Sequence, residues 1–284
     1  VSNHARFPVP AWLVGCGNMA GAMVEGWRRA AVDLSNVTAI RPSGKPVAGV
    51  RTLAALPEDE APQLVMLGVK PQKLGEVAPG LAPHVGADSI LVSLLAGVSA
   101  TTLRTRFPDA RAIIRVMPNL PVAQRKGVTA LYSEDRDDEA RSMVEALMAV
   151  LGLAPWCADE AAFSAIGAVA GSGPAYVARF ADALGRGGAG LGLDHGFASA
   201  IAVQTLVGTA AMASAGEAMS DIARRVASPN GTTEQGLAVL DADDGLGPLV
   251  ERMLGAAITR GQQLAAEAAS AGEARAVASP TPLP

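Results

Sequence analysis

Several short stretches of this chain combine residue types and spacings that point to chemistry. The first is WLVGCGNMAGAM, an apolar run that enters Gly15-Cys16-Gly17-Asn18-Met19-Ala20 and continues as a helical pattern. Gly15 would allow a tight turn, Gly17 would let a pyrophosphate approach the backbone, and the small Ala20 would let helix pack on strand. The free N–H groups of the loop and helix start, Asn18 and Met19 included, would then face the phosphates. A bare GxGxxA says little. This one follows an apolar run, opens a helix and begins an alternating β/α region, which is the context a dinucleotide site needs. The second stretch, VASPNGTTEQGL, sits in a region otherwise rich in helix formers. Pro229-Asn230-Gly231 makes a turn, and Thr232 or Thr233 is expected to cap a helix starting near Glu234, so that several N–H groups point out of its N-terminus. Those groups and Ser228 suit a carboxylate, and a threonine hydroxyl would reach a neighbouring polar atom. An ordinary capped helix start accounts for the same residues.

Other candidates stand where apolar runs end. After VTAI come Arg41, Ser43 and Lys45 with no Asp or Glu nearby. An acid there would hold the ribose 2'-hydroxyl of NAD, whereas Arg and Ser suit a 2'-phosphate, so NADPH is expected, with NADH as the alternative. LVMLGVKPQ puts Val69, Lys70 and Pro71 at a strand end, SLLAGVS puts Ala96 and Gly97 at another, and IIRVMPNLP sets Asn119 between two prolines. Asn119 would either present its amide to the nicotinamide or substrate, or satisfy its own turn. AVAGSGPAYV places Gly171, Gly173 and Pro174 inside a helical pattern, which implies close approach of another group or a break between helices.

The elements that must position these residues follow from the texture of the chain. From Ala11 to about Trp156, AWLV, VTAI, LVMLGV, ILVSLL, AIIRVM and VTALY alternate with amphipathic segments, with helices expected at 18 to 31 and 136 to 151. Such alternation marks a parallel α/β sheet. From Asp159 onward Ala, Leu, Met and Gly dominate, and helices are expected over 159 to 188, 195 to 215 and 247 to 269. The predicted fold is therefore α/β: a Rossmann-like dinucleotide-binding domain at 8 to 157, an all-α substrate-binding and dimerisation domain at 158 to 270, and a disordered or loosely attached tail at 271 to 284.

Composition narrows the function. The chain has 284 residues, half of them apolar, and a net charge of -4 without a dense basic run, so neither nucleic acid nor a membrane surface is an expected partner. No apolar run is read as approaching the roughly 18 residues of a membrane helix, and the opening VSNHARFPVP lacks a signal-peptide core, so a cytoplasmic location is expected. Cys16 and Cys157 give no disulfide framework, and His4, His84 and His195 show no ligand spacing, so no metal is expected.

Taken together, GCGNMAGAM, GVKPQ, AGVS, RVMPNLPVAQRKGVTALY, GSGPAY, QTLVGTAAM and above all VASPNGTTEQGL resemble the Δ1-pyrroline-5-carboxylate reductase family, from about Trp12 to about Glu267. The resemblance implies NAD(P)H-dependent reduction of a cyclic imino acid to L-proline, with hydride passing to the imine carbon. It implies that residues 228 to 233 (Ser228, Pro229, Asn230, Gly231, Thr232, Thr233) hold the substrate carboxylate and that Thr233 is the catalytic contact to the ring nitrogen. It also implies an interwoven homodimer, often assembled further, with active sites built across two subunits. Asn230 and Thr232 stand where the family usually has small residues, commonly Gly and Ala or Thr, and RTLAALPEDEAPQLVML lacks the Asn common before the third strand. Related β-hydroxyacid dehydrogenases use a lysine of the helical domain as acid, and this chain has none after Lys126. A reductase of a related cyclic imino acid is the nearer alternative, and a non-catalytic nucleotide-sensing dimeric module is the reading from another class.

Overall fold

The computed structural model describes residues 5–277. In chain order they form β1 (Ala11–Val14), α1 (Asn18–Arg29), β2 (Val37–Ile40), β3 (Arg51–Leu53), β4 (Leu64–Leu67), α2 (Leu74–Leu81), β5 (Ile90–Ser93), α3 (Ala100–Arg106), β6 (Ala112–Pro118), β7 (Gly127–Tyr132), α4 (Asp138–Ala149) and β8 (Gly152–Leu153). Helices follow: α5 (Glu160–Ile166), a π-helical turn (Gly167–Gly171), α6 (Gly173–Gly190), α7 (His195–Ser214), α8 (Met219–Val226), α9 (Thr232–Leu240) and α10 (Leu246–Val277). The tail expected from 271 is helical as far as Val277, and 278 to 284 lie outside the described residues.

The sheet order is β3-β2-β1-β4-β5-β6-β7-β8. It is parallel from β3 to β6, β7 runs antiparallel to β6, and β8 is parallel to β7. β1, β2, β4 and β5 are buried at every position because both faces of the sheet are covered. Alternation sorts their side chains: Ala11 and Leu13 join Met23, Trp27, Val144 and Leu147 of α1 and α4, while Trp12 and Val14 join Leu74, Leu81 and Leu103 of α2 and α3. The short β3 and β8 lack an apolar pattern and are not apparent in the sequence.

The chain divides into two compact units, Val1–Gly171 with Ile258–Pro284, and Ser172–Ala257. The first unit extends to Gly171 because α5 and the π turn pack with the sheet: Phe163 is buried with Ala130 and Cys157. Within the second unit, α6 and α7 bury only small residues, Ala181 and Gly185 on one and Ala198 and Ala202 on the other. Phe180, Leu184, Phe197 and Ile201 are exposed. The expectation about apolar runs needs correction. The helical stretch 160–190 and α7 are long and apolar enough to cross a membrane by length and composition, with mean hydropathies of 1.3 and 1.4. Scattered charges such as Arg179 and Asp182 hide the first of them from a search for an unbroken run.

The entry to β6 is tied to the start of α4. Asp137 is the N-cap of α4, accepting the Ala140 N–H at 2.9 Å, and it also accepts Arg111 Nε–H at 2.7 Å. The cap hydrogen bond and the Arg111 guanidinium hold its carboxyl below the usual aspartate value. A depressed folded-state pKa stabilises the fold above the unfolded value and stops doing so as pH falls through the folded one. Asp137→Ala is therefore expected to lose about 1 kcal/mol near pH 7, a typical N-cap loss. The gap to the parent should shrink below about pH 4, as checked by urea unfolding on both sides of that value.

Candidate functional site

The strand order reverses between β1 and β4, and a doubly wound sheet binds its ligand outside the carboxyl ends of the strands at that point. Gly15, the first residue past β1, has φ +85°, a left-handed conformation that side chains resist. Its N–H donates to the Ile40 carbonyl at 2.8 Å, and the N–H of Gly68, just past β4, donates to the Val14 carbonyl at 2.8 Å. A Cβ on Gly68 would overlap the Gly15 carbonyl oxygen, and one on Gly15 would lie 2.7 Å from the Val69 nitrogen. Gly68 is a part of the site that the local motif does not reveal, because the contact joins two strands distant in sequence.

From this turn the chain enters α1 with Gly17 as N-cap. No side chain caps the helix, and its first turn carries no acid. The N–H groups of Asn18, Met19 and Ala20 have no intrahelical acceptor, and the helix dipole adds a partial positive charge there. Ala20 is buried, its methyl 3.4 Å from where a Gly68 side chain would begin. The cradle and bare helix start fit a pyrophosphate. Cys16 is buried beside them, and burial pushes its thiol up while the Arg41 charge partly opposes this.

The remaining expected contacts share this edge of the sheet. Arg41 is half-buried just past β2, and its carbonyl accepts the Gly44 N–H at 2.9 Å in a turn that leaves Ser43 and Lys45 exposed. Val69, Lys70 and Pro71 follow β4, with Lys70 exposed, and Ala96 and Gly97 follow β5, with Ala96 exposed and Gly97 half-buried. Asn119 differs from the rest: its amide turns inward. The residue is 5% exposed, Oδ1 accepts the Val128 N–H at 2.8 Å, and Nδ2 donates to the Ala170 carbonyl at 2.9 Å. A concavity of about 740 Å³ at the opposite edge, lined by Glu58, Asp59, His84 and Asp88, lies at strand N-termini, away from the edge where such sheets bind ligands. Among the described residues no three His, Cys, Asp or Glu side chains are grouped to hold a metal.

The second unit carries the 228 to 233 loop. The Gly231 N–H donates to the Ser228 carbonyl at 2.9 Å, closing a turn in which Asn230 has φ +56°. Asn tolerates that conformation better than most side chains. α9 then begins at Thr232 with Gly231 as N-cap and no side-chain cap. Thr232 and Thr233 are thus the first helical residues, and neither is the cap expected from sequence. The left-handed Asn230 brings the chain to the helix sooner. Glu234 reaches back past the N-cap to accept the Asn230 N–H at 2.7 Å, which satisfies one donor of the turn. Among the described residues, the N–H groups of Thr232 and Thr233 begin the helix without an intrahelical acceptor. Thr233 and Gly231 are half-buried, while Ser228, Pro229, Asn230 and Thr232 are exposed.

The model of the pyrroline-5-carboxylate reductase dimerisation family matches residues 160–264. A pyrroline-5-carboxylate reductase of Pseudomonas aeruginosa is 34% identical over 262 residues, covering 89% of this chain and 96% of that protein. The chain belongs to the pyrroline-5-carboxylate reductase family. The solved structure of a family member from Coxiella burnetii aligns with a TM-score of 0.83 at 30% identity, over 90% of this chain and 98% of that one. A Plasmodium falciparum pyrroline carboxylate reductase, solved with NADP bound, shares the fold with a TM-score of 0.80 at 22% identity, over 92% and 99% of the two chains. The family model covers the 228 to 233 loop, and the Pseudomonas aeruginosa relative is aligned over 89% of this chain.

Gly68→Ala tests the cradle, because the added methyl must displace the Gly15 carbonyl. It is expected to weaken binding of a reduced nicotinamide dinucleotide on the order of tenfold or more, which is about 1.4 kcal/mol, in a nucleotide fluorescence titration. Gly75→Ala, where a Cβ would meet nothing within 4 Å, is the control and should bind as the parent does.

Proposed function

We propose that this chain reduces 1-pyrroline-5-carboxylate to L-proline with NADPH. What carries this reading is the uncapped start of α1 over the Gly15 and Gly68 cradle, in a chain that matches a bacterial reductase along 96% of its length. When bound, the reduced nicotinamide supplies a hydride to the imine carbon. The chain itself holds and orients the reactants and excludes water. The N–H groups of Asn18, Met19 and Ala20 hold the pyrophosphate, with Gly15 and Gly17 giving it room. Arg41 and Ser43, joined by Lys45, take the 2'-phosphate, and the absence of an acid in IRPSGK supports NADPH over NADH. Val69, Lys70, Pro71, Ala96 and Gly97 line the crevice.

In the second unit, the substrate carboxylate is held by the Thr232 and Thr233 N–H groups and the Ser228 hydroxyl, on a turn shaped by Pro229, Asn230 and Gly231. Thr233 Oγ1 accepts from the ring N–H, since the imine arrives protonated and needs no general acid from the protein. The family's dimerisation region and the exposed Phe180, Leu184, Phe197 and Ile201 support a homo-oligomer. We read it as an interwoven dimer in the cytoplasm, where the free thiols of Cys16 and Cys157 are at home.

Oxidation of NADPH and of NADH by pyrroline-5-carboxylate, followed by absorbance, tests the assignment. The parent should turn over and prefer NADPH. Thr233→Ala should lower kcat/KM roughly tenfold or more, the worth of one charged hydrogen bond, with NADPH binding unchanged, and Arg41→Ala should narrow the preference for NADPH. A parent inactive with both nucleotides overturns the assignment.

A further inference from the structure

Along one face of β6, alternate side chains meet successive turns of α5 and the π turn. Arg115, 5% exposed, lies 4.5 Å over the Phe163 ring and pairs with Glu160. Two residues on, Met117 abuts Gly167, where any Cβ would overlap its sulfur. Two further, Asn119 donates to the Ala170 carbonyl at 2.9 Å. Alternate strand residues advance about 6.6 Å and a helical turn about 5.4 Å, so the two elements stay nearly in step over this short length. The contact at Ala170 has a specific chemical origin. In a regular α-helix its carbonyl would accept from the N–H of the residue four further on, which here is Pro174 and has no N–H. The helix is widened to a π turn at Gly167–Gly171, a distortion that often accompanies functional sites.

We propose that Asn119 is a positioning residue: its amide supplies the donor that Pro174 cannot, and so fixes the π turn against the end of β6 on the cofactor-binding edge of the sheet. Oδ1 makes the strap rigid by gripping the Val128 N–H on β7 at 2.8 Å. Asn119 then acts on hydride transfer through the placement of the turn, not by touching the nicotinamide. The assignment rests on the reductase reading for its effect on rate, and on geometry alone for the strap.

Asn119→Asp keeps an oxygen for Val128 but sets the other against the Ala170 carbonyl. With both substrates saturating, kcat is expected to fall roughly tenfold or more, as a small misplacement of reacting groups does. NADPH affinity should stay within about twofold, and amide hydrogens at 168 to 173 should exchange faster than in the parent. Weaker NADPH binding with unchanged exchange would mean that Asn119 contacts the nucleotide, and it overturns the proposal; so do parent-like kcat and exchange together. If the variant does not fold, Gly167→Ala disturbs the same turn through Met117. It should slow kcat and be partly rescued by Met117→Ala in the same chain, and a Gly167→Ala variant with parent rate counts against the strap. A parent inactive on pyrroline-5-carboxylate sinks the reductase reading only, because the exchange at 168 to 173 still reports the strap.

Discussion

Where the strand order reverses, the ends of β1 and β4 approach so closely that neither Gly15 nor Gly68 has room for a side chain. Everything at the cofactor edge depends on that contact. The Gly15 N–H reaches across to β2 and the Gly68 N–H reaches back to β1, so three strand ends share one turn. The turn aims α1 with its first N–H groups bare, and a helix start without a cap is a fixed positive pole. It stays in place because the sheet beneath is buried on both faces, with Trp12 and Leu13 committed to opposite layers. A small displacement of any of these strands would close or splay the cradle.

The route out of the sheet is controlled differently. Arg115, Met117 and Asn119 meet α5 and the π turn at intervals, combining an ion pair, a side chain against glycine and an amide hydrogen bond. The ion pair leaves Arg115 Nε and Glu160 Oε1 without partners among the described residues. With Arg115 buried and the Glu160 side chain 41% exposed, this half-buried pair adds little net stability against the desolvation of Arg115. The amide bond is better matched, since it satisfies a carbonyl that proline leaves without a donor.

In the second unit the unusual Asn230 is accommodated by its backbone. It adopts the left-handed geometry that a glycine would take more cheaply, and the Glu234 carboxylate holds its N–H. The loop can therefore depart from the family's small residue at this position without losing its turn or the start of α9. The apolar residues left exposed on α6 and α7 agree with a region whose family is named for dimerisation.

Much of the sheet unit was legible in sequence because its signals are local. Apolar runs of β-branched residues marked the central strands, the glycine motif marked the start of α1, and Pro-Asn-Gly marked the turn before α9. Those are preferences of neighbours along the chain. The edge strands β3 and β8 carried no such pattern, and the unit boundary at Gly171 depends on Phe163 being buried beneath β7 residue Ala130. Gly68 and the inward amide of Asn119 were decided only by the tertiary structure. Steric exclusion and hydrogen-bond satisfaction depend on which distant backbone arrives alongside, and short-range spacing carries no record of that partner.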